Sequence, residues 1–191
     1  MIDRLSIGLA DWIIMDGNYR NFACGDAASF ALEFYAADGL EPLPPQPPPQ
    51  RRLSHIAESR YEIVAEVTHL DDGWWVIDPG IGMFREDKPP PAVRLGDWVR
   101  GTVYVGIDPF FYFERLSHLA GAPPLIYDWI VEKIDKDVSP LIEIAPRTIG
   151  RDPQRIAWRA VEKTGWQGAA PSNGEYVLHC KRVGGGPSLR R

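Results

Sequence analysis

Cys24 is the residue whose type and neighbours point most directly to catalysis. A cysteine thiolate is a strong nucleophile when a helix N-terminus or a nearby base activates it. Cys24 directly precedes Gly25-Asp26 and an apolar segment, and a helix starting there would activate the thiol. His55 or His69 would then serve as the base, and Asp78 would orient its imidazole. A cysteine hydrolase or acyltransferase using Cys24, His69 and Asp78 is therefore one hypothesis of function.

The order of these residues resembles that of a known group of enzymes. Cysteine, histidine and aspartate follow one another over roughly residues 20–82, and Asp78 lies at the end of a predicted strand in the segment 75–80. This order resembles that of transglutaminase-like and arylamine acetyltransferase-like proteins. Those families place the histidine on the preceding strand, far from the connecting turn. The matching position here falls near Glu62, whereas His69 lies close to the turn. The resemblance implies a thiol acyltransferase or hydrolase, and the base is where this sequence departs from it.

Acidic residues suggest a second chemistry, the binding of a divalent cation through carboxylate oxygens. Their spacing matches no calcium-binding loop, and aspartate is in any case common in turns. His179-Cys180 lacks the further ligands that zinc requires. We therefore predict neither a metal nor a cofactor. The aspartates considered are Asp71, Asp72, Asp78, Asp97 and Asp108.

The dipeptide Asp-Trp followed by a β-branched residue occurs at three places in the chain. Its tryptophans, Trp12, Trp98 and Trp129, are candidate binding residues, since aromatic faces pack on ligands and partners. The alternative, which we favour, is structural. In that interpretation each aspartate binds turn amides at the entry of a strand, and each tryptophan covers an open end of the sheet.

The longest strand signal lies in the middle of the chain. Residues 98–107 are rich in β-branched and aromatic side chains, and residues two apart share a face of a strand. We predict a central strand there, ended by Asp108-Pro109 and followed by an aromatic plug, Phe110–Phe113. The alternation of residues 61–69, with a turn before Trp74, predicts a hairpin.

Several other segments also read as strands. The segment 27–37 fits a strand or a helix, and we favour the strand. The proline-rich segment 42–50 predicts a stiff polyproline II loop. We expect segments 155–166 and 175–183, joined by the loop 168–174, to form a closing hairpin. Further strands are predicted at 5–15, 125–134 and 141–145, and one helical turn at 114–119.

These elements predict a mainly β fold of about ten short antiparallel strands in barrel-like or sandwich units, with little helix. A boundary near residues 86–94 would divide the chain into an N-terminal β-rich unit, 1–88, and a C-terminal β-rich unit, 89–183. A flexible tail, 184–191, would follow. A single continuous domain is the alternative.

Composition narrows the function classes. The 191 residues are 45% hydrophobic and carry a formal net charge of -5, without the basic face typical of nucleic-acid binding. No apolar segment is long enough to span a bilayer, and no signal peptide is recognisable. We expect a cytoplasmic protein of bacterial type that binds a protein partner through an acidic, aromatic-bearing surface. It would be a non-enzymatic immunity, adaptor or assembly module; a structural, oligomer-forming β-protein is a third hypothesis.

Overall fold

Strands dominate the protein. The computed structural model describes residues 2–44, 49–145, 147–165 and 175–189. Strands make up 54% and helix 7%, so the predicted mainly β fold is confirmed. The strands of the described residues are β1 Arg4–Ala10, β2 Ala27–Phe30, β3 Leu32–Tyr35, β4 Glu41–Leu43, β5 Arg52–Ala57, β6 Arg60–Asp71, β7 Trp74–Asp78, β8 Met83–Arg85, β9 Trp98–Ile107, β10 Ile126–Asp137, β11 Leu141–Ala145, β12 Thr148–Arg151, β13 Trp158–Val161 and β14 Glu175–Ser188.

A closed five-strand barrel is built around the predicted central strand, β9. β9 pairs with β3 on one side and β6 on the other, and β8 and β7 complete the ring. Val99, Val103, Val105 and Ile107 all point into the core, as their two-residue spacing predicted. A side chain at position 101 would clash, because a Cβ added to Gly101 would lie 2.8 Å from the Leu40 side chain.

A second circuit of strands shares β9 with the barrel. β9 meets β1 at Gly8 and Gly106, β1 pairs with β14, and β14 pairs with β10. β10 then pairs with β2, which continues through Ala31 into β3. The first and last strands of the chain therefore lie side by side. β9, from the second predicted unit, pairs with β3, β4 and β6 from the first; the division into units stays a prediction.

Three predicted elements differ in the structure. The strand predicted at 5–15 stops at Ala10, where helix α1, Asp11–Met15, begins and turns the buried Ile13 into the core. The closing hairpin is wrong, because β13 and β14 both pair with β10, on its opposite edges. The polyproline prediction fails at β4, where Pro42 pairs with Val99. Residues 45–48 and the predicted loop 168–174 lie outside the described residues.

Other local predictions are confirmed. The segment 27–37 forms β2 and β3, and the hairpin around residue 72 joins β6 to β7. The aromatic plug is a short helix, α2 Phe111–Glu114, followed by a 3-10 turn, Leu116–His118. The buried Asp108 accepts hydrogen bonds from the backbone N–H groups of Tyr112 and Phe113 at 3.1 and 3.2 Å. Burial outweighs these bonds and raises the pKa of Asp108 to about 6.

Candidate functional site

A groove of about 510 Å³ lies where β1, β9 and β14 come together, and we call it the acidic groove. Its floor contains Gly8 and Gly106, which face each other across β1 and β9. The Gly8 position is tightly packed, since a Cβ there would lie 3.1 Å from Ser59 Oγ. The other side chains used below that line this groove are Trp12, Glu33, Tyr35, Glu58, Tyr104, Asp137, Arg151, Asp152, Ile156, Trp158, Glu175 and Val177.

Aromatic and aliphatic side chains form the rim of the acidic groove. Trp12 is brought there by α1, immediately after β1, and is 38% exposed. Tyr35 and Tyr104 are cross-strand partners on β3 and β9, and both are exposed. Ile156 is 63% exposed. Large apolar side chains that stay in water around a concavity are typical of a surface that binds a ligand or partner.

Carboxylates outnumber cations in the acidic groove, and Arg85, outside the lining, lies 3.8 Å from one of them, Glu33. Five carboxylates line it, and among the described lining residues Arg151 is the only cation. Arg151 is already engaged: its Nε lies 3.7 Å from Asp137 Oδ2, and its Nη1 donates to the carbonyl of Ser139 at 2.6 Å. A cationic ligand would therefore meet a negative potential together with aromatic faces.

Glu33 is the groove carboxylate with the largest shift in pKa. It lies on β3 opposite Gly106, and its side chain is 23% exposed. Burial raises its pKa to about 7, while Arg85, 3.8 Å away, lowers it and Asp108 raises it further. The charge of the acidic groove therefore changes near neutral pH.

A second hollow, of about 360 Å³, is lined by Arg4–Ser6 of β1 and by His179 and Cys180 of β14. Ser6 and His179, which face each other across β1 and β14, both line it. Ser6 Oγ lies 3.0 Å from His179 Nδ1, and His179 Nε2 lies 2.8 Å from Asp135 Oδ2 on β10. Tyr61 holds the backbone of Ser6, with its hydroxyl 2.7 Å from the Ser6 N–H. We call this set the Ser6–His179–Asp135 row.

The carboxylate of the row is held in its ionised form. Burial opposes ionisation of Asp135, but hydrogen bonds from Lys133 and His179 hold the pKa of its carboxyl below the ordinary value. Lys133 Nζ lies 2.7 Å from the same oxygen that His179 contacts. Neighbouring Cys180 is buried, and burial raises the pKa of its thiol to about 12, so it stays protonated.

Sequence reasoning missed the row. It considered His179 only as a zinc ligand, and the alternation of segments 5–15 and 175–183 does place Ser6 and His179 on strands. What the sequence lacked was a signal that the first and last strands pair. Only that pairing brings a serine and a histidine 173 residues apart into contact.

The structure places Cys24, His69 and Asp78 in three different environments. Cys24 precedes a strand rather than a helix, and its sulfur lies 3.8 Å from the carbonyl of Val161. The His69 ring lies 4.2 Å from the Trp74 ring at an angle of 42°, and burial lowers the pKa of His69. Asp78 accepts a hydrogen bond from Gly80 N–H and pairs with Arg51 at 2.8 Å. The contacts of the three side chains among the described residues do not join them to one another.

The three candidate tryptophans also separate. Trp12 lines the acidic groove, whereas Trp98 starts β9 and is half-buried outside it. Trp129 lies within β10, is fully buried and stacks on Phe30 at 5.6 Å, so it packs in the core rather than over an open end of the sheet. The turn-binding role fits Asp97, which accepts from Arg94 N–H, but not Asp128, which lies within β10 and accepts from Ser29.

Two further features of the described part of the chain bear on function. No group of three or more histidine, cysteine, aspartate or glutamate side chains there is arranged to hold a metal ion. No helix in the described ranges has both the length and the hydropathy needed to cross a bilayer.

Comparison with known proteins finds no relative: no protein-family model matches the chain, and neither a curated protein nor a solved structure matches it.

Proposed function

We propose that the protein is a binding module whose acidic groove holds a basic segment of a protein partner. The observation that carries the proposal is the combination in one concavity of five carboxylates with exposed aromatic side chains. A polypeptide bearing arginine or lysine between apolar residues satisfies both properties at once.

The groove chemistry favours this occupant over other classes of ligand. A nucleic acid would bring phosphates against the carboxylates, which costs electrostatic energy. An anionic metabolite meets the same repulsion. Arginine planes stack on exposed aromatic rings, while aliphatic side chains fit beside Ile156 and over the glycine floor. In this role the protein acts in the cytoplasm, as an immunity, adaptor or assembly factor does.

Calorimetry with a synthetic peptide tests the proposal. The probe is a blocked hexapeptide of alternating arginine and leucine, and the matched control peptide carries glutamate in place of arginine. We expect measurable binding of the basic peptide and none of the acidic one. Equal binding of both, or of neither, would contradict the proposal.

A pair of tryptophan variants locates the site. Trp12→Ala removes a groove side chain, and we expect it to weaken binding of the basic peptide at least about tenfold, since the indole face is lost as a partner for an arginine plane. Trp98→Ala is the matched control, because it removes the same side chain outside the groove. An unchanged affinity in Trp12→Ala, with both variants folded by circular dichroism, would place the peptide elsewhere.

A further inference from the structure

The Ser6–His179–Asp135 row has the contacts by which an imidazole activates a serine hydroxyl. Its three members come from three neighbouring strands, β1, β14 and β10. Ser6 and His179 are direct antiparallel partners, and Asp135 is the diagonal neighbour of His179, since Lys133 is its direct partner. Strand pairing therefore fixes the order hydroxyl, imidazole, carboxylate.

The hydrogen-bond distances assign a role to each nitrogen of His179. Nε2 faces a carboxylate, which accepts but does not donate, so Nε2 carries the proton. In the neutral ring Nδ1 is then a bare acceptor, 3.0 Å from the Ser6 hydroxyl. This is the tautomer that a general base needs. In the usual triad Nε2 takes the serine proton and Nδ1–H faces the carboxylate. Here Nδ1 faces the serine and Nε2–H faces the carboxylate, and the proton still passes from serine to imidazole.

We propose that Ser6 is the nucleophile of a second, catalytic site that hydrolyses short-chain carboxylic esters in the second hollow. The hollow has room for a small acyl group beside Ser6, with Leu53 and Ile2 as apolar lining residues. Arg4, two residues before Ser6, lines the same hollow, and its guanidinium donates to both carboxylate oxygens of Glu132 at 2.9 and 3.1 Å. The proposal is independent of the acidic groove, and it contradicts the expectation that the module is non-enzymatic.

The reaction runs in two steps. Ser6 Oγ bonds to the ester carbonyl carbon while its proton passes to His179 Nδ1; the ester C–O bond then breaks, and the proton leaves with the alcohol. Water next attacks the acyl-serine and gives a proton to Nδ1. Nδ1 returns that proton to Ser6 Oγ as the bond between Oγ and the acyl carbon breaks. The products are an alcohol and a carboxylic acid, and nothing is oxidised or reduced.

Asp135 is a positioning residue in this scheme. It touches no reacting atom; it holds the Nε2–H, and with it the ring orientation, and stabilises the imidazolium when it forms. Its surroundings suit that role because it is largely buried and is held ionised by Lys133.

The test combines covalent labelling with kinetics on the full chain. A fluorophosphonate reporter and p-nitrophenyl acetate are the probes, and the modified peptide is identified by mass. We expect an adduct on Ser6 that is absent in Ser6→Ala, and a rate at least about a hundredfold lower in His179→Gln. Asp135→Asn should lower kcat with little change in KM, which a loss of folding would not do.

Matched controls make each outcome decisive. Ser29→Ala removes a serine that also bonds a carboxylate, Asp128 at 2.7 Å, so it should leave labelling unchanged. Thermal unfolding of every variant checks the fold. No adduct on Ser6 of the folded wild type with either probe would overturn the proposal. Equal labelling of Ser6 in wild type and His179→Gln would overturn it as well.

Discussion

The acidic groove and the Ser6–His179–Asp135 row are built on the same two strands and differ in how their side chains are assembled. One step along β1 and β14 separates Ser6 and His179 from Gly8 and Val177. The row is made of strand residues that antiparallel pairing aligns. The groove gathers side chains from α1, from β3 and β9, and from loops such as that of Ile156. Strand register thus yields fixed polar geometry, whereas converging elements yield a concave, adaptable surface.

The largest expected effect is a pH-dependent change in the free energy of unfolding that depends on Glu33 in the groove and not on the row. Burial raises the pKa of Glu33 to about 7, so its ionisation opposes folding. The stabilisation from the protonated form is fully present below the unfolded value of 4.5 and is lost as the pH rises to about 7. Glu33→Gln should therefore gain roughly 3 kcal/mol relative to wild type between pH 4.5 and pH 7.

Urea unfolding of both proteins across that pH range measures the difference. Labelling of Ser6 should be the same in both, since Glu33 belongs to the groove and not to the row. A constant difference in the free energy of unfolding between wild type and Glu33→Gln would show that Glu33 is not desolvated. A change in labelling would show that the two regions are not separate.

The next prediction tests β1, a strand that contributes residues to both regions. Gly8→Val places a branched side chain against Ser59 Oγ and the carbonyl of Val105, where a Cβ alone would lie 3.1 and 3.4 Å away. Overpacking of this kind costs about 1–3 kcal/mol, and we expect both peptide binding and Ser6 labelling to fall. Gly186→Val is the control, because a Cβ there has open space. Similar unfolding temperatures for the two variants would show that β1 is free to move away from β9.

The sequence predicted which segments form strands better than it predicted which strands pair. Alternation correctly located β9, β10 and the β6–β7 hairpin because burial of one face leaves a two-residue pattern in the chain. It failed for the closing hairpin, since pairing of β14 with β1 and β10 is a long-range choice without a local signal. It extended the first strand through Trp12 because Trp12, Ile13 and Ile14 are residue types common in strands.

The candidate sites show the same division. Composition shows the excess of carboxylates and the tryptophans that led us to expect an acidic, aromatic-bearing surface, and its binding role stays a prediction. Composition did not identify the residues that line the groove, since only Trp12 of the three candidate tryptophans does so. Cys24 seemed the best nucleophile because a helix was conceivable after it, and that segment is a strand. The hydrogen bond between Ser6 and His179 joins residues that no sequence motif connects.

A smaller effect is expected in the groove itself when the pH crosses the pKa of Glu33. Between pH 6 and pH 8 Glu33 becomes ionised, which adds a negative charge facing the basic peptide. Affinity for the arginine–leucine hexapeptide should rise about fivefold, the gain typical of one partly screened ion pair. Calorimetry of Glu33→Gln should show a flatter profile over this range. An affinity that falls with pH in the wild type would contradict the electrostatic role of Glu33.

The smallest expected effect concerns Lys133, whose ammonium contacts the same carboxylate oxygen as His179. In the binding that we propose for the groove, charge is the basis of recognition. In the proposed reaction at the row the lysine is peripheral, since it is more than half exposed and reaches no reacting atom. Lys133→Met should change the rate of Ser6 labelling by less than about threefold and leave peptide affinity unaltered, because exposed ion pairs contribute little. A tenfold loss of labelling would instead mean that the imidazole and carboxylate are aligned by the lysine rather than by strand register.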